Sequence, residues 1–129
     1  MRLGLLALSL LIILAADVPW AAWQDHAHWE RVGWIPFVSP PVRPIDIALN
    51  LTLFVPFGFF ARKSTSRTWL VVAAGAALAL ACETLQVYSH GRFPSATDFV
   101  CNIVGTAAGA YLARGPRADG RPDTLIPQA

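Results

Sequence analysis

The chain has 129 residues, enough for one domain. Its hydrophobic fraction is 55 % and its charged fraction 14 %, whereas soluble domains average about 45–50 % apolar and about 25 % charged residues. This composition is typical of a membrane protein. The net charge of +2 is small and the basic residues are dispersed, which argues against nucleic-acid binding. Two cysteines lie inside apolar runs, and we predict that both are small buried side chains rather than disulfide or metal ligands.

Residues 3–16 form an apolar run that follows Arg2. A cleaved signal peptide and a retained first membrane helix both fit this pattern. We favour the retained helix, because the run reaches about 20 residues, enough to span a bilayer, when residues 18–23 are added, and because later segments are clearly membranous.

Residues 17–45 combine a high density of tryptophan and proline with charges of both signs. Proline interrupts regular structure, and tryptophan favours the membrane–water boundary, so we expect an interfacial loop that can include a short helix lying flat. His26 and His28 lie here without a carboxylate or cysteine partner at motif spacing, so we predict a solvated loop and no metal site.

Two more apolar runs cover residues 46–61 and 69–88. Asp46 opens the first of them, where a carboxylate can cap a helix, and Asn50 follows one turn later on the same face. In the second, Glu83 and Gln86 continue a face of small residues, which lets another helix approach closely. Pro56 and Gly58 predict a kink or an end of the first run.

The fourth apolar run covers residues 97–113, and Asp98, Asn102, Gly105 and Gly109 share one face of it. Gly105 and Gly109 form a GxxxG element, which serves packing within the chain or in a homo-oligomer. The Asp-x-x-x-Asn spacing occurs in both the second and the fourth run, a faint repeat that predicts two related helical hairpins. We assign residues 1–113 to a single domain, and residues 114–129 to a disordered cytoplasmic tail.

Four crossings place both termini on the same side of a membrane, and the basic residues decide which side. Seven of them fall on the side of the termini: Arg2, Arg62, Lys63, Arg67, Arg114, Arg117 and Arg121. Arg31, Arg43 and Arg92 fall on the other side. Because positively charged short loops stay cytoplasmic, we predict an all-α, multi-pass bundle of about four transmembrane helices in the plasma membrane, with N-in and C-in orientation and an external Trp/Pro-rich loop.

In this topology three helix ends and the loop between the last two helices bring polar groups to the same depth. We predict an outward-facing polar pocket that binds a ligand through these side chains: Asp46, Asn50, Glu83, Gln86, Arg92, Ser95, Asp98 and Asn102. The alternative is that they cap helices and hold them together, with Arg92 paired to Glu83. That alternative explains the set less well, because two caps do not require Asn50, Gln86 and Asn102 on inward faces.

These residues resemble the two motifs of the VanZ-like family. DIALNLTLFVPFGFF resembles the first motif, and the second is matched by Glu83-x-x-Gln86, Gly91-Arg92, Ser95 and Asp98-x-x-x-Asn102-x-x-Gly105. The resemblance covers residues 46–112 and leaves out the Trp/Pro-rich loop and the tail. It implies a small integral membrane protein in a family whose founding member is associated with teicoplanin resistance. Neither a catalytic role for any residue nor a cofactor can be inferred from the resemblance.

Two functions fit this pocket. The first is binding of an envelope component without catalysis, such as a lipid-linked wall precursor or a lipoglycopeptide, with Arg92 on an anionic head group. The second is a membrane-embedded hydrolase or transferase that acts on a lipid-linked phosphate, with Asp46, Glu83 and Asp98 as acid–base groups or cation ligands. A scaffold subunit, in which the polar residues serve only helix packing, is the third interpretation. Membrane lipids are expected partners in each case.

Overall fold

The computed structural model describes residues 1–38 and 42–114. Within them the chain is all-α, as predicted, with four helices: α1 (Arg2–Asp17), α2 (Pro44–Ser64), α3 (Thr68–Gln86) and α4 (Ala96–Leu112). Each predicted apolar run therefore forms a helix. Residues 115–129, which hold nearly all of the predicted tail, lie outside the described residues.

The most extensive helix–helix contact joins α2 and α4. The two helices are parallel, because successive contacts advance in the same direction along both: Gly105 lies against Leu51 and Gly109 lies against Val55. A Cβ atom at either glycine would overlap a backbone carbonyl of α2, so the absence of a side chain is what allows this approach. The GxxxG element is therefore used within the chain.

The helices bury polar side chains beside an apolar core that includes Ile13 and Phe54, while many large apolar side chains face outward. The buried side chains include Glu83, Gln86 and Asn102, and both cysteines are buried and free, as predicted. Large apolar side chains face outward on the helices, with 71 % of Leu3 and 58 % of Leu80 exposed. In water this arrangement is unfavourable, whereas a hydrocarbon surround accepts it.

Two of the helices, α2 and α3, are long and apolar enough to cross a bilayer. The other two are shorter, with 16 residues in α1 and 17 in α4. Helix length and composition therefore support two membrane crossings and not the four that the sequence predicts.

The segment between α1 and α2 is irregular and exposes its tryptophans; residues 39–41 of it are not among those described. It contains one short 3-10 helix, Trp29–Arg31. Isolated bridges join Trp23 to Ser89 and Gly33 to Ser95, and the rings of Trp23 and Tyr88 stack at 5.4 Å. The loop is therefore attached to the connection between α3 and α4.

Candidate functional site

One end of the bundle gathers four helix termini, namely the C-termini of α1 and α3 and the N-termini of α2 and α4. Six of the eight predicted pocket residues line two adjoining cavities at this end: Asp46, Asn50, Gln86, Arg92, Ser95 and Asp98. The cavities measure about 390 Å³ and about 290 Å³ and share Asp46, Gln86, Arg92 and Asp98. We call the two together the polar recess.

At the start of α2, Asp46 is held by a neighbour in sequence. Arg43 donates two hydrogen bonds to its carboxylate, from Nε and from a terminal nitrogen, both at 2.9 Å. Arg43 is also the N-cap residue of α2, so the predicted capping role of Asp46 is wrong. Asp46 instead occupies the first turn, because Pro44, whose fixed φ suits a helix start, begins the helix two residues earlier than expected.

At the start of α4, Ser95 is the N-cap residue, and its hydroxyl accepts the N–H of Thr97 at 3.1 Å. The N–H of Ser95 in turn donates to Oε2 of Glu83 at 2.7 Å. Glu83 is only 9 % exposed and accepts this bond instead of pairing with Arg92, contrary to the alternative weighed from the sequence. Asp98 lies in the first turn of α4, in the same position as Asp46 in α2, and does not cap its helix.

The end of α1 contributes a residue that the sequence patterns missed. Gln86 Nε2 donates to the backbone carbonyl of Asp17 at 3.0 Å, and Arg92 donates to the carbonyl of Ala16. Asp17 lines the polar recess, and its Oδ2 is buried without a hydrogen-bond partner among the described residues. A carboxylate at a helix C-terminus is unfavourable, because that end of the helix dipole is negative. This unfavourable position is the feature of the sequence by which Asp17 could have been identified as a site residue.

Two predicted residues are not in the polar recess. Glu83 lies behind Ser95 and lines a separate, mostly apolar cavity of about 180 Å³. Asn102 is 1 % exposed, and neither its side-chain nitrogen nor its side-chain oxygen has a hydrogen-bond partner in the described part of the chain. Neither residue therefore lines the polar recess, and Asn102 lies within the bundle.

The wall of the polar recess combines acidic, basic and apolar side chains. Asp17, Asp46 and Asp98 supply carboxylates, and Arg43 and Arg92 supply guanidinium groups. Arg43 is already bound to Asp46, whereas the guanidinium of Arg92 has five N–H donors and is exposed. Leu49 and Leu53 of α2 form an apolar part of the same wall. This arrangement suits a ligand that carries an anionic group, hydroxyl or amino groups, and an apolar portion.

A model of the VanZ/LLP1 family matches residues 3–117. No curated protein and no solved structure matches the chain. The match begins within α1, so this helix and the Trp/Pro-rich loop, which we placed outside the resemblance at residues 46–112, lie inside the family pattern. The chain therefore belongs to the VanZ/LLP1 family and is a membrane protein.

Proposed function

We propose that the polar recess is the binding site for a lipid-linked or anionic ligand of the cell envelope, and that it opens on the outer face of the plasma membrane. The observation that carries this proposal is that all four helix termini at this end supply a polar residue to the two adjoining cavities of the polar recess. Polar pairs between membrane helices contribute only about 0.6 kcal/mol on average. Helix packing alone is thus a weak reason to gather so many polar groups in one place.

The proposal includes four membrane crossings, N-in and C-in, with residues 1–113 as one domain. The apolar side chains that face outward on the two shorter helices support it, since Leu11 of α1 and Leu112 of α4 are 63 % and 64 % exposed. Trp20 and Trp34 are exposed at the end that holds the polar recess, and Trp69 is exposed where α3 begins, at the opposite end. Tryptophans at both ends are typical of the two membrane interfaces.

The charges of the polar recess support a ligand that carries an anionic group together with hydroxyl or amino groups. With Asp46 bound to Arg43, Arg92 is left to bind a phosphate or carboxylate through charge-assisted hydrogen bonds. Asp17 and Asp98 then face hydroxyl or amino groups of the same ligand. A polyprenyl-linked wall precursor or a lipoglycopeptide such as teicoplanin combines these groups with an apolar tail, which lies beside Leu49 and Leu53.

Thermal unfolding of the purified protein in detergent tests this proposal. We expect a polyprenyl phosphate, or teicoplanin, to raise Tm in the wild type and to lose most of that effect in Arg92→Gln and in Asp98→Asn. Arg67→Gln is the matched control, because it removes an exposed arginine at the opposite end of the bundle. The proposal fails if none of the polyprenyl phosphates, phospholipids or teicoplanin shifts Tm.

A link to glycopeptide resistance rests on the family alone. If the ligand is the drug or a precursor related to it, expression in a susceptible host raises the inhibitory concentration of teicoplanin, and Arg92→Gln abolishes the increase. An unchanged inhibitory concentration, with the protein present in the membrane, contradicts this link.

The second candidate is a membrane-embedded hydrolase or transferase for a lipid-linked phosphate. Three aspartates beside Arg92 on one wall favour it, because an acid, a base and an anion binder are then close together. Two observations weigh against specific forms of it. Ser95 is used as a helix cap, and in the described ranges the carboxylates do not come close enough together to hold a metal ion in a cluster of three.

Turnover of a labelled polyprenyl pyrophosphate or lipid-linked precursor separates the two candidates. Turnover that is lost in Asp98→Asn establishes the enzyme. Binding without turnover establishes the first candidate.

A further inference from the structure

Three imidazole rings meet on the surface of the loops next to the polar recess. His26 and His28 belong to the loop after α1, and His90 belongs to the connection between α3 and α4. The ring centroids are 4.5 Å apart for His26 and His28, 4.4 Å for His28 and His90, and 5.8 Å for His26 and His90. One ring nitrogen from each residue lies within 4.8 Å of the others.

The hydrogen bonds of these rings leave nitrogens available for a ligand. Nδ1 of His26 lies 2.7 Å from Oδ1 of Asp25, and Nδ1 of His28 lies 3.2 Å from Oε1 of Glu30. A carboxylate on Nδ1 favours the tautomer with a proton there, which leaves the Nε2 lone pair free. Nε2 of His28 is buried and has no hydrogen-bond partner among the residues described. A buried ring nitrogen without a partner is unfavourable, and a bound cation would supply the partner.

Backbone contacts hold the two segments together without any ion. The N–H of His28 donates to Val87 O at 2.9 Å, and the N–H of Gln24 donates to Tyr88 O at 2.8 Å. The guanidinium of Arg31 donates to His90 O at 3.1 Å. The three imidazoles are therefore attached to one frame.

We propose that His26, His28 and His90 bind a divalent transition-metal ion, with zinc as the expected ion. Three imidazoles exclude calcium and magnesium, which require oxygen ligands. Two nitrogens on a tetrahedral zinc ion lie roughly 3.3 Å apart, given Zn–N distances of about 2.0–2.1 Å, so a small closure of the cluster completes the site. Because His26 is exposed, the fourth position remains open to water or to an external group.

This site differs from the expectation of no metal site for the histidines of the Trp/Pro-rich loop. That expectation considered His26 and His28 alone, since His90 is far along the chain. The site is separate from the polar recess and does not depend on the ligand proposed there. The histidine site is close in sequence to the polar recess, because Arg92 of the polar recess follows His90 by two residues.

Metal titration of the full chain in detergent, purified with a tag that contains no histidine, tests this proposal. The chain has 3 histidines, all of them in the cluster, so binding by histidine has no other source. We expect one zinc ion per chain by calorimetry and a rise in Tm with zinc. Loss of a partner behind a metal ligand weakens binding about 10–100-fold, so His28→Ala and His90→Ala should each lose at least about tenfold in affinity.

Two further variants keep the test decisive. The double variant Cys82→Ala, Cys101→Ala removes both thiols and should bind zinc like the wild type. If His90→Ala does not fold, His90→Cys replaces it in the test. The cobalt-loaded His90→Cys protein should show a thiolate-to-cobalt charge-transfer band, because the new thiolate would be a metal ligand. The proposal is overturned by the lack of saturable one-to-one binding, by an unchanged affinity in His90→Ala, or by a missing charge-transfer band in His90→Cys.

Discussion

At the scale of single residues, the carboxylates at the site end differ in what they contact. Glu83 accepts a backbone N–H from Ser95 and Asp46 binds Arg43, whereas Oδ2 of Asp17 has no partner in the described part of the chain. The hydrogen bonds of Glu83 and Asp46 fit a structural role, whereas the unpartnered Oδ2 of Asp17 fits the ligand binding proposed above. Asp17 and Asp98 are the better candidates for contact with a ligand, and Glu83 for stabilising the start of α4.

This division gives a prediction for Glu83. Removing its side chain leaves the Ser95 N–H buried without a partner, at a cost of about 1–3 kcal/mol, whereas Gln retains a side-chain oxygen at that place. We expect Glu83→Ala to lower Tm in detergent clearly and Glu83→Gln to lower it much less. Thr84→Ala is the comparison, because Thr84 is exposed and its hydroxyl bonds only within its own helix. Equal Tm values for Glu83→Ala and Glu83→Gln would contradict the assigned hydrogen bond.

The sequence located most of these residues but not their partners. Asp46, Asn50, Gln86, Arg92, Ser95 and Asp98 could be grouped because helical periodicity and hydrophobic runs are local properties. The caps could not be assigned, since Pro44 at the start of α2 and Ser95 before α4 decide where the helices begin. The contact between the loop histidines and His90 joins distant segments, and no local pattern encodes it.

At the scale of helices, the pair formed by α2 and α4 is the centre of the bundle. The repeated Asp-x-x-x-Asn pattern opens both helices, and their parallel contact places the two aspartates at the same end. α2 continues through Pro56 to Ser64, so of the kink or end predicted at Pro56 and Gly58, the end does not occur and the kink stays a prediction. Gly58 is needed for another reason, because a Cβ there would overlap the backbone of Thr106.

The glycine contacts predict the effect of larger side chains on α4. Gly105→Val would push a side chain into the backbone of α2 at Leu51, and overpacking of this kind costs about 1–3 kcal/mol. Ala108→Val makes a similar enlargement on an exposed position of the same helix and should be close to neutral. Unfolding in mixed detergent measures both. If Gly105→Val changes only self-association and not the stability of the monomer, the glycine face is not used within the chain.

At the scale of the whole molecule, the number of crossings decides where the termini lie. Ser66 is in the turn between α2 and α3, which are the helices long enough to span. With four crossings, the C-terminus lies on the same side as Ser66; with crossings of α2 and α3 only, it lies on the opposite side. Whether α1 and α4 cross the membrane therefore determines the topology, although both are shorter than the two helices that are long enough to span it.

Thiol labelling in intact cells distinguishes these arrangements. In a background with Cys82→Ala and Cys101→Ala, we expect Ala21→Cys to react with a membrane-impermeant reagent and Ser66→Cys to be protected. A reporter fused after Ala129 should be active only if it functions in the cytoplasm. A protected Ser66→Cys together with an external reporter would show that α4 does not cross the membrane and would exclude the four-span topology.

The leucines in the wall of the polar recess have a consequence for how a ligand arrives. Leu49 is 60 % exposed and lies beside Asp46 and Asn50 along the same wall, so in the proposed membrane topology this flank of the polar recess faces the lipid. An amphiphile can then slide in sideways from the leaflet, keeping its chain among the lipids while its head group docks. Water-soluble head-group fragments lack that partitioning gain and should compete poorly with the intact amphiphile.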